Sequence, residues 1–233
     1  MANKTVYLET FGCQMNVLDS ELVLGQLRRA GYSPTADAQQ ADLALLNTCS
    51  VREHAEQKVY SRLGELGRIK RRRPDLIVGL IGCMAERDAG GIRRRMPHVD
   101  VLCGPGRLNE LPAMIEQVRA TGQPAVAVSG LGPRRVLSAE GPRPLNDIEA
   151  LDMARQPSGN VTAYVRVQRG CDKFCSFCVV PFVRGPERSR PPANVVEEAR
   201  RLADAGTRQL TLLGQTINSY AYRHNGRLVG LAD

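Results

Sequence analysis

Three of the seven cysteines, Cys171, Cys175 and Cys178, stand in RGCDKFCSFCVVP with C-x3-C-x2-C spacing. On so short a loop, directly after a strand, three thiolates wrap three corners of one polynuclear iron–sulfur cluster, whereas such clusters usually recruit four. The missing fourth ligand leaves one iron open to a substrate or cofactor. A structural zinc site is the alternative, but it needs closing by a fourth Cys or His at tetrahedral geometry, and His54, His98 and His224 are remote in sequence. Inert buried cysteines are the third reading, against which the polar Asp172, Lys173 and Ser176 between the thiols argue.

A second group emerges when strands are read from the sequence. Cys13 in TFGCQMN, Cys49 in LLNTCSVRE and Cys83 in LIGCMAE each follow an apolar strand-like run, at intervals of 36 and 34 residues. Each interval is about one βα unit, and parallel strands end at one sheet edge, where ligands bind. Three thiols therefore converge on one mouth, to share a metal site or to pack as small hydrophobes; spacing alone leaves both open. Cys103, in VLCGPG, is read as packing, since its 20-residue interval breaks the period. Two triads that each leave an iron open do not suit a simple electron carrier, which gains nothing from an open iron.

The elements that position these cysteines follow from hydrophobic periodicity. KTVYLET, DLALLNT, DLIVGLIG and VDVLCG read as strands, with helices in DSELVLGQLRRAG, EHAEQKVYSRLGELGRIKRRR and LNELPAMIEQVRA. Asp19 or Ser20 caps the first helix and Gly31 ends it. The fold class is thus α/β: a doubly wound parallel-sheet domain over residues 1–120, then a Pro/Gly/Arg-rich linker with a local strand over 121–160. In the second domain, residues 161–233, VTAYVRVQ alternates as a half-buried strand with Val161, Ala163, Val165 and Val167 inward. The helix PPANVVEEARRLADAG and the strand RQLTLLG complete a β-loop-α-β unit. A (β/α) barrel takes about 200 to 250 residues, so this domain is expected to be incomplete at its carboxyl end, the start of a partial barrel.

Composition narrows the class. With 42% apolar and 24% charged residues, the chain suits a folded globular protein rather than a disordered or fibrous one. No run approaches the roughly 20 apolar residues that span a bilayer, and MANKTVYLET lacks the layout of a signal peptide. The cytoplasm is the expected compartment, where an odd set of cysteines is not a disulfide framework.

Taken together, these motifs resemble the radical S-adenosylmethionine methylthiotransferases along essentially the whole chain. GCDKFCSFC is similar to that family's C-x3-C-x-aromatic-C motif, with Phe177 at the aromatic position, and TFGCQMN, NTCSVRE and GCMAE resemble the cysteine motifs of its amino-terminal domain. VQRGCDKFCSFCVVPFVRGPERSRP followed by LLGQTINSY is similar to the branch that modifies tRNA. The resemblance implies a 4Fe-4S cluster on Cys171, Cys175 and Cys178 whose open iron chelates S-adenosylmethionine, and whose electron cleaves the sulfonium to a 5′-deoxyadenosyl radical. It implies an auxiliary 4Fe-4S cluster on Cys13, Cys49 and Cys83, carrying the sulfur that is methylated and delivered to carbon 2 of an N6-isopentenyladenosine next to the anticodon. Gly214 and Gln215, at the end of the next strand, take the position of a cofactor-amine contact. The implied partners are a tRNA anticodon stem-loop, a reducing donor such as a flavodoxin or ferredoxin, and a sulfur source, acting on a monomer. Family members continue beyond the length of this chain through the rest of the barrel to a small RNA-binding domain. The alternatives are action on another tRNA adenosine or on a ribosomal protein, or a non-catalytic iron–sulfur or zinc fragment that binds RNA.

The net charge of +8 gathers in RIKRRR at 68–73, IRRR at 92–95, PRR at 133–135 and VRGPERSR at 183–190. Arg184, Arg188 and Arg190 directly follow the cysteine loop and are the expected phosphate contacts. The helical run at 68–73 serves equally well as a solvated face. Phe11, Phe174, Phe177 and Phe182 sit beside cysteines, where they are expected to shield clusters from water and oxygen.

Overall fold

The structure is a computed structural model that describes residues 4–50, 53–130, 146–155 and 159–233. It divides into two units, Met1–Gly130 and Leu131–Asp233. Arg134 and Arg135 lie outside the described residues.

The first unit is built on six parallel strands: β1 (Lys4–Thr10), β2 (Tyr32–Pro34), β3 (Leu43–Thr48), β4 (Ile77–Gly82), β5 (Val101–Cys103) and β6 (Ala125–Ala127). Their spatial order is β2-β1-β3-β4-β5-β6. Every residue of β3 and β4 is buried, which is why LALLNT and IVGLIG carry near-continuous apolar runs rather than an alternation. Four helices connect the strands: α1 (Gln14–Arg29), α2 (Glu53–Arg72), α3 (Cys83–Arg95) and α4 (Leu111–Thr121). Val59, Leu63 and Leu66 of α2 and Met84, Ala85 and Ile92 of α3 pack on Tyr7, Ala44, Leu46, Val78, Leu80 and Leu102. The alternate strand residues Val6, Leu45 and Ile81, also buried, point to the opposite face. There α1 and α4 lie together, each with its own buried apolar stripe. Helices on both faces of a parallel sheet make this a doubly wound domain.

Three features depart from the sequence pattern. Helix α1 begins at Gln14, with Cys13 as its N-cap, so Asp19 and Ser20 are buried inside the helix rather than capping it. The helix over Cys83–Arg95 is one that the sequence reading did not name, and it is interrupted at Asp88, whose φ −140° and ψ 45° are not helical. The sheet also continues past residue 120, since Ala125–Ala127 pairs in register with Val101–Cys103.

In the second unit, β7 (Thr162–Arg166) pairs in parallel with β10 (Gln209–Leu213), and α7 (Pro192–Asp204) makes the crossover between them. This is the opening of a (β/α) barrel. The short strands β8 (Gln168–Arg169) and β9 (Arg188–Ser189) pair antiparallel and bring together the two ends of the cysteine loop, which contains the short helix α6 (Val180–Arg184). Ala163, Val165 and Val167 are buried as the alternation requires, but Val161 is exposed, and Arg166 and Gln168 are buried on the other side. Helix α5 (Asn146–Met153) falls in the stretch that reads as linker. It joins this unit because its Asp152 accepts from the buried Arg166 guanidinium at 2.6 Å. The unit closes with a hairpin of β11 (Ala221–His224) and β12 (Arg227–Gly230). Its turn is Asn225-Gly226 with φ +48° and +80°, the pair of positive angles that a two-residue hairpin demands.

Candidate cysteine sites

Cys13 follows the end of β1 and caps α1, Cys49 comes directly after Thr48 at the end of β3, and Cys83 opens α3 directly after β4. The register Thr10↔Asn47 and Thr48↔Gly82 puts these three strand ends level on one edge. The connection from β1 runs outward to β2, whereas the connections from β3 run the other way to β4 and β5. The switch point of the sheet is therefore between β1 and β3, where open α/β sheets bind ligands, and Cys13 and Cys49 flank it. Two of the three cysteines also sit at helix N-termini, whose partial positive charge favours an anionic group.

Close approach of these segments depends on two glycines. A Cβ on Gly12 would stand 2.6 Å from Cys49 Cβ, and one on Gly82 would stand 2.5 Å from the Thr48 carbonyl oxygen. Both have positive φ, +137° and +95°. Beneath the cysteines lies a buried polar cluster that the sequence reading missed. The Asn16 amide donates to Asn47 Oδ1 at 3.0 Å and to the Thr48 carbonyl at 2.9 Å. The Asn47 amide returns bonds to the Asn16 carbonyl at 2.8 Å and to Ser20 Oγ at 2.9 Å. Cys13 Sγ is 3.2 Å from Asn16 Oδ1. The available signal was that TFGCQMN and LLNTC each put an asparagine two or three residues from the cysteine, one of them at the end of an otherwise apolar strand.

Cys103 behaves differently. It is the last residue of β5, level with Ile81 rather than beyond the strand end, and is 0% exposed. Burial raises its thiol pKa well above the ordinary range, with Glu110 and Glu86 adding to the effect.

In the second unit the Cys171 N–H donates to the Gly185 carbonyl at 3.1 Å, fixing the start of the loop against its end. Cys171 is buried, Cys178 is half-buried and Cys175 is exposed, with the Cys178 N–H donating to the Cys175 carbonyl at 2.9 Å. Gly214 and Gln215 follow β10, and the next residue, Thr216, has its hydroxyl 3.6 Å from Cys171 Sγ. A Cβ on Gly214 would stand 3.2 Å from Gln168 Oε1. Thr216 and Gln168 are thus neighbours of the site that the sequence reading did not name.

Several expectations change. Phe177 is 93% exposed and Phe174 is also exposed, so in this structure neither shields a thiol from water; Phe174 meets Phe182 edge-on at 6.1 Å between centroids. Arg190, expected at RNA phosphates, is buried and bonded to Glu149 and Glu198, which balance its charge inside the unit. Arg184 is also buried, whereas Arg188 on β9 is half-exposed. In the run at 68–73, Lys70 pairs with Asp100 and Arg73 with Asp42, leaving Arg68, Arg71 and Arg72 as the exposed members.

Among the described residues, no three His, Cys, Asp or Glu side chains stand close enough to share one metal ion. A tetrahedral zinc site would need such a group. A four-iron cluster differs, because each thiolate takes its own iron. Three cysteines at one sheet edge, or on one loop, supply the kind of donor that such a cluster uses.

Residues 5–104 match the model of the uncharacterized protein family UPF0004, and residues 165–226 match that of the radical SAM superfamily. Both matches lie in one chain, and each takes in one of the two cysteine triads. The chain is 48% identical over 223 residues to the tRNA-2-methylthio-N(6)-dimethylallyladenosine synthase of Rhodopirellula baltica, covering 94% of this chain and 46% of the relative. The proteins of that name from Moorella thermoacetica and Pseudomonas aeruginosa are each 42% identical, over 94% and 99% of this chain and 47% and 49% of theirs. The chain spans about half the length of the curated relatives it matches. No helix among the described residues is long and apolar enough to cross a membrane.

Proposed function

We propose that this chain carries the sulfur-delivering and radical-generating units of an enzyme that transfers a methylthio group to carbon 2 of N6-isopentenyladenosine beside the anticodon of tRNA, in the cytoplasm. The observation that carries the reading is the placement of two separate cysteine triads, one at the switch point of a doubly wound sheet and one on the loop between β7 and α7. The names of the relatives support the substrate.

In this reading Cys171, Cys175 and Cys178 hold one 4Fe-4S cluster, and Cys13, Cys49 and Cys83 hold the auxiliary one. When bound, the first supplies the electron that splits the sulfonium of S-adenosylmethionine, and the second presents the sulfur that is methylated. The protein's own part is positional. The β8–β9 pair closes the cysteine loop, and β10 delivers Gly214 and Gln215 beside it to orient the cofactor's amino group. Phe177, exposed in this structure, is assigned to the cofactor by its position in the cysteine motif. Arg188 is the remaining phosphate contact of the three arginines after the cysteine loop. A reducing donor such as a flavodoxin or ferredoxin and a sulfur source complete the cycle.

Anaerobic reconstitution with iron and sulfide tests this. About eight irons, from two four-iron clusters, together with cleavage of S-adenosylmethionine, are the expected result. One zinc without sulfide would overturn the reading in favour of a structural metal site.

A further inference from the structure

We propose that Asn16 and Asn47 are positioning residues that preset the spacing of the Cys13 and Cys49 thiols before any iron arrives. The inference deepens the assignment of Cys13, Cys49 and Cys83 to an auxiliary cluster and rests on it.

The orientation of the Asn16 side chain follows from its partners. The Thr48 carbonyl can only accept, so the atom 2.9 Å from it is the amide nitrogen. That nitrogen also donates to Asn47 Oδ1, which leaves Asn16 Oδ1 facing Cys13 Sγ at 3.2 Å. Asn47 is turned by the same logic, with its nitrogen toward the Asn16 carbonyl and Ser20 Oγ. The two asparagines thus bond to each other twice across the β1–β3 switch point, the Asn16 carboxamide donating to that of Asn47 and the Asn47 carboxamide donating to the Asn16 backbone carbonyl, one residue standing three positions after Cys13 and the other two before Cys49.

Both residues are 0% exposed. Burying two primary amides is costly unless every bond is well made, and an apolar pair would fill the same space without that cost. What the amides add is direction, since a reciprocal hydrogen-bonded pair holds one geometry where packed methyl groups tolerate several. The third cysteine is tied to the same point. Gly82, directly before Cys83, leaves the space a Cβ would fill to Asn47 Oδ1 and the Thr48 carbonyl, at 2.6 and 2.5 Å. The Thr48 hydroxyl donates to the Ile81 carbonyl at 2.8 Å. A shift of Asn47 therefore moves all three cysteine segments together. Three thiolates that must meet one cluster at once bind it far better when their separations are already set.

The test uses the full chain with Asn16→Leu, which keeps the branched heavy-atom skeleton, and Asn16→Asp, which keeps an oxygen toward Cys13 but as a carboxylate cannot donate to Thr48 or Asn47. In the iron-free protein, the thiol-bridging reagent dibromobimane is expected to join Cys13 to Cys49 several-fold more slowly in both variants, with Cys175–Cys178 bridging unchanged as the internal control. After reconstitution, the auxiliary cluster is expected to be lost to a chelator about 10- to 100-fold more readily, as when outer partners of metal ligands are removed, and its paramagnetic resonance signal should change while that of the other cluster does not. Equal bridging rates in wild type and variants of native circular dichroism would overturn the proposal. If a variant fails to fold, the wild-type chain still decides: bridging of Cys13 to Cys49 no faster than in the urea-unfolded chain sinks the idea of a preset spacing. Absence of iron at these cysteines in the wild type would instead overturn the auxiliary-cluster assignment, leaving the bridging result to stand by itself.

Discussion

Arg190 donates to Glu198 at 2.7 Å inside the second unit, and both side chains are only 2% exposed. Arg190 also reaches Glu149 at 3.0 Å, and Glu198 lies 3.4 Å from Arg155. Burial works against the Arg190 charge, but the fields of Asp152, Glu198 and Glu149 outweigh it and raise its pKa further. This network fastens α5, which precedes β7 in the chain, to α7 and to the segment after β9. It also explains why a basic run beside the cysteine loop is not simply a nucleic-acid surface.

Arg190→Ala strands buried carboxylates and is expected to destabilise the second unit by about 3 to 5 kcal/mol, read as a lowered thermal midpoint. Arg188→Ala should leave the midpoint unchanged and flatten the log-log salt dependence of tRNA binding by roughly 0.7 to 0.9. An unchanged slope would remove Arg188 from the phosphate contacts.

Thr216 and Cys171 give a second prediction. A thiolate bound to iron can only accept a hydrogen bond, so the Thr216 hydroxyl becomes the donor and favours the more negative, reduced state of the cluster. Thr216→Val should bind as much iron but shift the potential downward by on the order of tens of millivolts, and Thr216→Ser should restore it. Redox titration followed by paramagnetic resonance measures both.

Cys103 should not contribute to iron binding, so Cys103→Ala is expected to leave the iron count unchanged. Its folded-state pKa is raised by burial, while the unfolded thiol titrates near about 8.5. Above that pH the unfolded chain releases the proton and the folded chain keeps it, so folding stability falls as pH rises. Between pH 7 and 10 the thermal midpoint of the wild type should therefore drop more steeply than that of Cys103→Ala.

The two triads sit in separate units, residues 1–130 and 131–233. Replacing Cys171, Cys175 and Cys178 together by Ala should halve the bound iron and leave the other cluster's spectrum in place. Loss of both clusters would rule out independent sites.

The local pattern in the sequence was enough for much of this. KTVYLET is β1 residue for residue, and EHAEQKVYSRLGELGRIKRRR overruns α2 by one residue, because buried strands and amphipathic helices write their period directly into the chain. That Cys13, Cys49 and Cys83 follow strands was legible for the same reason, and the close spacing of Cys171, Cys175 and Cys178 on one loop was legible without a fold. Strand order was not legible, because period says which residues face inward but not which strand lies beside which. Only the tertiary structure puts β1 against β3 and the switch point between Cys13 and Cys49. The same holds for polar residues, whose partners lie far along the chain. Asn16 meets Asn47 across 31 residues, and Arg190 meets Glu149 across 41. In sequence an arginine beside a cysteine loop reads as a charge for RNA; once folded, nearby carboxylates have already claimed Arg190.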